Sequence, residues 1–261
     1  MPRKRRAVIE RRSYHITHRC YNREFRFKFA VDRDRYKMRL FEMSRRYKVK
    51  ILDYIITSNH VHLLAWSETP DDLSEAMRFL QGAAAQDYNR RKKRSGAFWS
   101  GRYNTTLIQD GYHLSRCLFY IGMNMVRAGV VKHPSEWKWS GFHEHMGNVE
   151  RYRIIDEESL MNRLEHPGDI KGFRNWYIDT MNSKIAAREF NREPFWTEAV
   201  AVGDREWIEL IGEALPARKR NIELVRSKYD QSVSGIEHVF EERSLYILKG
   251  SKRDKSFLTK F

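Results

Sequence analysis

Two histidines one residue apart, His60 and His62 in the run "TSNHVHLLAWS" (57–67), sit inside an otherwise apolar stretch. On a strand, positions i and i+2 share a face, so both imidazoles point the same way. Neighbouring imidazoles on one face suit a divalent cation better than a core. Alone, the pair reads equally well as a metal site or as a satisfied structural pair. A third ligand and a chemistry have to come from elsewhere in the chain.

The other histidines compete for the same role, ten being present in all. His15 and His18 lie three apart on a presumed strand, so they face opposite ways and cannot share a metal. His143 and His145 form a second H-x-H, but it follows Trp137 and Trp139 outside any clear strand. Tyr120 and Asn124 are more informative. They stand one turn apart on a helix expected over 111–128, off its apolar seam of Leu114, Leu118, Ile121 and Met125. Asparagine offers a hard carbonyl oxygen, completing a mixed N/O set suited to Mg²⁺ or Mn²⁺. Tyrosine offers a phenol that can attack phosphorus once a metal has polarised the phosphodiester. The competing interpretation is an ordinary aromatic helix packed on a sheet. Among thirteen tyrosines, Tyr120 is preferred because it pairs with a ligand-type residue one helical turn along.

Charge narrows the partner. The 261-residue chain carries 49 Lys+Arg against 34 Asp+Glu, a net +15, which favours polyanions. The excess is concentrated in Arg3, Lys4, Arg5 and Arg6 and again in Arg90, Arg91, Lys92 and Lys93. The second run leads straight into "SGAFWSGRY", where aromatics could stack unpaired bases while cations neutralise phosphates. Arg102 and Tyr103 are further candidates for DNA contact, as is Arg127 near a helix end; Trp99, Trp137 and Trp139 read as packing. The alternative for all the cations is a well-solvated basic surface. No apolar run approaches the ~20 residues of a membrane span, and two cysteines exclude a disulfide framework. A reduced, cytoplasmic protein without membrane attachment is expected.

These residues need a scaffold, and residues 13–128 supply its pattern. "SYHITHRCY" (13–21) reads as a strand, 32–47 as a helix, "KILDYIIT" (50–57) and "VHLLAWS" (61–67) as an antiparallel pair. Thr69 as N-cap and Pro70 at the first position open a helix to about Arg91. "YNTTLIQ" (103–109) is a further strand, and the helix of Tyr120 and Asn124 closes at Gly129. The order β-α-β-β-α-β-α predicts an α+β, ferredoxin-like antiparallel sheet with helices. A boundary near "HMGNVERYR" separates residues 1–147 from an extension, 148–261, expected to be mainly helical. Its helix-like segments are near 156–164, 170–184, 198–214 and 217–229, followed by a turn at 232–235 and a basic tail.

The motifs "SNHVHLL" (58–64), "FWSGRYNTTLI" (98–108), "YIGMNMVRAGVV" (120–131) and "WKWSGF" (137–142) resemble, in order and spacing, the single-tyrosine HUH transposases, and among them the REP-associated tyrosine transposases. The likeness covers about 13–147. It implies His60, His62 and Asn124 as metal ligands, Tyr120 as nucleophile, and Mg²⁺ or Mn²⁺ as cofactor. The implied reaction cleaves and rejoins single-stranded, hairpin-associated DNA through a 5′-phosphotyrosine, by a monomer or a homodimer. Where the family helix signature has proline after the asparagine, this chain has Met125, which is expected to ease a kink without removing a catalytic group. Two rival readings stay open: a non-catalytic DNA- or RNA-binding protein on the same fold, and a metal-dependent nuclease that hydrolyses without a tyrosyl intermediate.

Overall fold

The computed structural model describes residues 8–149, 151–214, 222–226 and 246–250. Arg3, Lys4, Arg5 and Arg6, the turn at 232–235 and the basic tail from 251 onward lie outside the described residues. Strand β1 (Arg12–Arg19) is followed by helix α1 (Ala30–Arg46), strands β2 (Val49–Ile56) and β3 (His60–Ser67), helix α2 (Pro70–Arg91) and strand β4 (Asn104–Ile108). Helices α3 (Tyr112–Gly122) and α4 (Asn124–Arg127) come next. The four strands stand in the order β2-β3-β1-β4 with every neighbour antiparallel, the ferredoxin-like arrangement expected from the sequence.

Alternation along β1 sorts the two layers. His18 stacks on Trp99 with ring centroids 3.9 Å apart, and Trp99 meets Tyr36 of α1. His15, three residues earlier, points to the opposite face and meets Tyr120 of α3. Helices α1 and α2 therefore cover one face and α3 the other. Thr69 caps α2, its hydroxyl accepting from the Asp72 amide at 3.1 Å, with Pro70 at the first position. The buried stripe Leu73, Met77, Leu80 and Ala84 then faces the sheet.

The chain after residue 147 does not stand apart. After α5 (Phe142–His145), which precedes the boundary, it forms α6 (Glu157–Leu164), α7 (Ile170–Ala186), α8 (Phe195–Glu198), β5 (Ala199–Gly203) and α9 (Arg205–Ala214). Strands β6 (Ile222–Arg226) and β7 (Tyr246–Gly250) complete a seven-stranded sheet, β2-β3-β1-β4-β5-β7-β6. Helices are found where expected at 156–164 and 170–184. The single helix expected over 198–214 is instead a strand followed by a helix, because "AVAVG" pairs in parallel with the open edge of β4 (Leu107 with Ala201, Ile108 with Val202). Within the expected helix at 217–229, the described part, 222–226, is a strand.

Close packing ties the extension to the first unit. Ile155 bridges Ile51 of β2, and Glu144 accepts from the Ile154 and Ile155 amides at 2.7 and 2.9 Å. His145 belongs to this seam: its Nε2 lies 3.1 Å from the Asp53 carboxylate, both fully buried. Burial pushes the Asp53 carboxyl above its ordinary value, with the His145 contact opposing. A Cβ on Gly141 would fall 2.1 Å from Asp53 Oδ1 and 2.9 Å from Ile155 Cδ1. Gly141→Ala is thus expected to cost about 1–3 kcal/mol through overpacking, read as a lower urea midpoint at unchanged slope.

Candidate active site

Strand β3 lies between β1 and β2, and its period of two sends His60 and His62 to the face covered by α3. Their ring centroids are 4.9 Å apart. His60 Nδ1 lies 2.6 Å from Asn59 Oδ1 and 2.9 Å from the Thr57 hydroxyl, whose own proton goes to the His60 carbonyl at 2.8 Å. The Asn59 oxygen can only accept, so Nδ1 donates and the Nε2 lone pair stays available. His62 is buried, with Nδ1 2.8 Å from His15 Nε2 and Nε2 3.2 Å from Asn124 Nδ2.

Burial disfavours the charged form of both rings. Burial, helped by the Arg19 and Arg127 charges, lowers the His60 pKa to about 4. Burial also holds His62 well below its ordinary value, reinforced by His60, His15, Arg127 and Arg19. Neutral imidazole is the form that binds metal.

Helix α3 presents Leu114, Cys117, Leu118 and Ile121 to the core. Tyr120, displaced from that seam, leaves its ring 6.3 Å from His62 and 6.1 Å from His15, centroid to centroid. The Arg127 guanidinium stacks over this ring at 4.1 Å and donates to the Tyr120 carbonyl at 3.3 Å. Burial raises the Tyr120 pKa, while Arg127 and Arg192 pull it down. Among the described residues neither Arg19 nor Arg127 forms an ion pair with a carboxylate. Guanidinium groups so placed are ready for a phosphate.

Asn124 opens α4 after a break at Met123, whose backbone (φ −81°, ψ 1°) leaves the helical region. The break therefore persists with Met125 in place of proline, contrary to the easing expected. Among the described residues no group of three or more His, Cys, Asp and Glu side chains is arranged to hold a metal. His15 cannot serve as a third ligand, because His62 and the Trp196 carbonyl occupy both its nitrogens at 2.8 Å each. An amide oxygen is what the geometry offers: rotation of the Asn124 terminal torsion would turn Oδ1 toward His62 Nε2. Two imidazole nitrogens and an amide oxygen form a donor set that would fit Mg²⁺ or Mn²⁺.

The basic candidates divide. Arg90, Lys92, Lys93 and Arg102 are exposed. Arg91 is engaged inside the fold, in a two-pronged pair with Asp32 of α1. Tyr103 is only 3% exposed and packs in the core, so it does not present a surface for DNA. Trp137 and Trp139 pack as expected, with the Arg33 guanidinium 3.7 Å from the Trp139 ring centroid.

Sequence reasoning missed His15, Asn59, Arg19, Arg192 and Trp196. It also missed a row of exposed aromatics, Tyr21, Phe25 and Phe29, beside the histidine strand. The segment carrying them is tied to the turn before His60 by Phe27 N to Ser58 O at 2.9 Å and Asn59 Nδ2 to Arg23 O at 3.1 Å. Lys92 lies 4.7 Å from the Phe29 ring centroid, so cations and aromatics alternate there. Asn59 alone carried a signal in the sequence, as the neighbour of His60; the others are brought to the site by strand register and packing.

The chain is similar to known proteins over part of its length. Residues 8–124 match the family model described as "Transposase IS200 like". A curated Haemophilus influenzae protein, named as a REP-associated tyrosine transposase, is 28% identical over 107 residues. The match covers 37% of this chain and 61% of that protein's length. A solved structure described as a REP-associated tyrosine transposase bound to a REP hairpin is 20% identical with a TM-score of 0.48, covering 60% of this chain and 94% of that one. A Deinococcus radiodurans structure described as a transposase is also 20% identical, with a TM-score of 0.31 over 40% of this chain and 84% of that one.

Proposed function

We propose that this protein is a transposase that cleaves and rejoins single-stranded, hairpin-associated DNA, a reading supported by the match of residues 8–124 to the IS200-like transposase family model. The observation that supports this most is convergence: His60, His62, Tyr120 and Asn124 meet on one face of one sheet. One chain supplies all four, so a monomer needs no second copy to complete the site, and a homodimer remains compatible. Among the described residues no helix is long and apolar enough to cross a membrane; action on DNA in the cytoplasm is part of the same proposal.

In this reading His60 Nε2, His62 Nε2 and the Asn124 oxygen would hold Mg²⁺ or Mn²⁺. When bound, such an ion supplies neutralisation of the charge that builds on the non-bridging phosphate oxygens. Tyr120 Oη attacks phosphorus, the bond to the 3′ oxygen breaks, and that oxygen leaves as a 3′-hydroxyl after taking up a proton. The product is a 5′-phosphotyrosine, and attack by a 3′-hydroxyl reverses the step and rejoins strands. Arg127, over the Tyr120 ring, favours the phenolate as its proton departs, and Arg19, paired directly opposite His60 across β1 and β3, is the second cation offered to the scissile phosphate. Because the ester conserves the bond, no nucleotide triphosphate is required.

The test is incubation with end-labelled single-stranded hairpin DNA and Mn²⁺, followed by a denaturing gel. A covalent protein–DNA adduct is expected. Cleaved products without adduct would favour a hydrolytic nuclease, and binding without cleavage a DNA-binding module. The exposed aromatics give a separate prediction. Phe25, 66% exposed, is placed to stack an unpaired base. Phe25→Ala is expected to weaken single-stranded DNA binding about fivefold to a hundredfold, by the ~1–3 kcal/mol of one stacked base, with the salt slope unchanged. Fluorescence anisotropy across a salt series measures both.

A further inference from the structure

We infer that His15, anchored by the main-chain carbonyl of Trp196, is a positioning residue that locks His62 in its Nδ1–H tautomer and aims the Nε2 lone pair at the candidate metal site. The use of that lone pair rests on the functional reading above; the tautomer does not.

The Trp196 carbonyl can only accept, and His15 Nδ1 is 2.8 Å from it, so that nitrogen carries the proton. His15, His62 and Trp196 are all buried, and among the described residues no carboxylate bonds to either ring. A dry site without a counter-charge disfavours a second proton on His15 and leaves its Nε2 as an acceptor. His62 Nδ1, 2.8 Å away, must then donate. A neutral ring donating from Nδ1 has its lone pair on Nε2, the atom that faces Asn124 at 3.2 Å. The ring centroids are 5.0 Å apart and the planes within 12° of each other, an edge-to-edge arrangement compatible with an in-plane hydrogen bond between the two imidazoles.

The anchor is itself held in place. The Trp196 indole donates to Glu193 at 2.7 Å, and Glu193 accepts from Arg116 of α3 at 2.8 Å. Three residues on, the Ala199 carbonyl accepts from the Thr106 hydroxyl of β4 at 2.9 Å. The carbonyl thus comes from beyond residue 124, where the family match ends. This gives the C-terminal extension a part in the site: it sets the proton position on one imidazole by way of another.

Long-range ¹⁵N correlation spectra of the metal-free protein, with Mn²⁺ titrated by electron paramagnetic resonance, test this. The wild type is expected to show His62 protonated at Nδ1 alone. In His15→Leu that tautomer is expected to mix with Nε2–H and Mn²⁺ affinity to fall about tenfold to a hundredfold. His15→Gln, whose amide oxygen can accept, is expected to recover most of both. A wild-type His62 protonated at Nε2, or a folded His15→Leu with tautomer and Mn²⁺ affinity unchanged, would overturn the inference. If His15→Leu does not fold, the wild-type spectrum and His15→Gln decide it. A wild type with the expected tautomer that binds no Mn²⁺ would overturn the functional reading and leave the relay standing.

Discussion

Tyr120→Phe is expected to abolish covalent adduct formation, a loss of about 10⁴-fold or more in single-turnover strand cleavage, as for removal of other enzymic nucleophiles. The effect should be confined to chemistry. Tyr120 meets Trp196 and Arg127 through its ring, at 6.1 and 4.1 Å, and phenylalanine keeps that ring. Thermal stability, hairpin affinity and Mn²⁺ affinity should therefore stay close to wild type. Adduct formed at a near wild-type rate would remove Tyr120 from the nucleophile's role.

His62→Ala is expected to be nearly as severe, lowering metal-dependent cleavage by about 10³-fold, the order of several kcal/mol of lost transition-state charge stabilisation. His62 stands at the centre of the cluster, bonded to His15 on one side and Asn124 on the other. Its removal takes away a ligand and leaves two buried groups without their partner, so a stability cost of about 1–3 kcal/mol should accompany it. The ligand role separates from the structural one in Mn²⁺ binding by the folded protein, which should weaken strongly in His62→Ala and be unchanged in Tyr120→Phe. Raising Mn²⁺ should partly restore cleavage by His62→Ala if the loss is one of affinity. Unaltered Mn²⁺ binding in a folded His62→Ala would contradict the ligand assignment.

What was legible in the sequence was what is local. His60 and His62 follow from a period of two, and Tyr120 with Asn124 from one helical turn, each needing only a few residues of context. The four-stranded unit was readable for the same reason, since its strands and helices are marked by Thr69, Pro70 and regular apolar spacing. His15 was not readable as a partner of His62, because 47 residues separate them and only the register pairing Thr17 with His62 makes them neighbours. No residue type marks the Trp196 contact, which is made by a backbone oxygen. Strand β5 was hidden for a related reason: "AVAVG" abuts a helical pattern, and it becomes a strand because the edge of β4 offers unpaired main-chain groups. The extension consequently looked separable when it in fact continues the sheet and touches the site. The basic residues were found by composition, yet only the fold distinguishes Arg91, paired with Asp32, from its exposed neighbours.

The most direct measurement of the central claim is to map the adduct. Wild-type protein is incubated with Mn²⁺ and single-stranded hairpin DNA labelled separately at each end, then digested for mass spectrometry. The expected result is a covalent protein–DNA species carrying only the fragment 3′ of the cut, joined through a 5′-phosphate to the Tyr120 side chain, with a free 3′-hydroxyl on the released strand. Attachment at another residue, attachment of the 5′ fragment, or cleavage with no covalent species at any time point would contradict it.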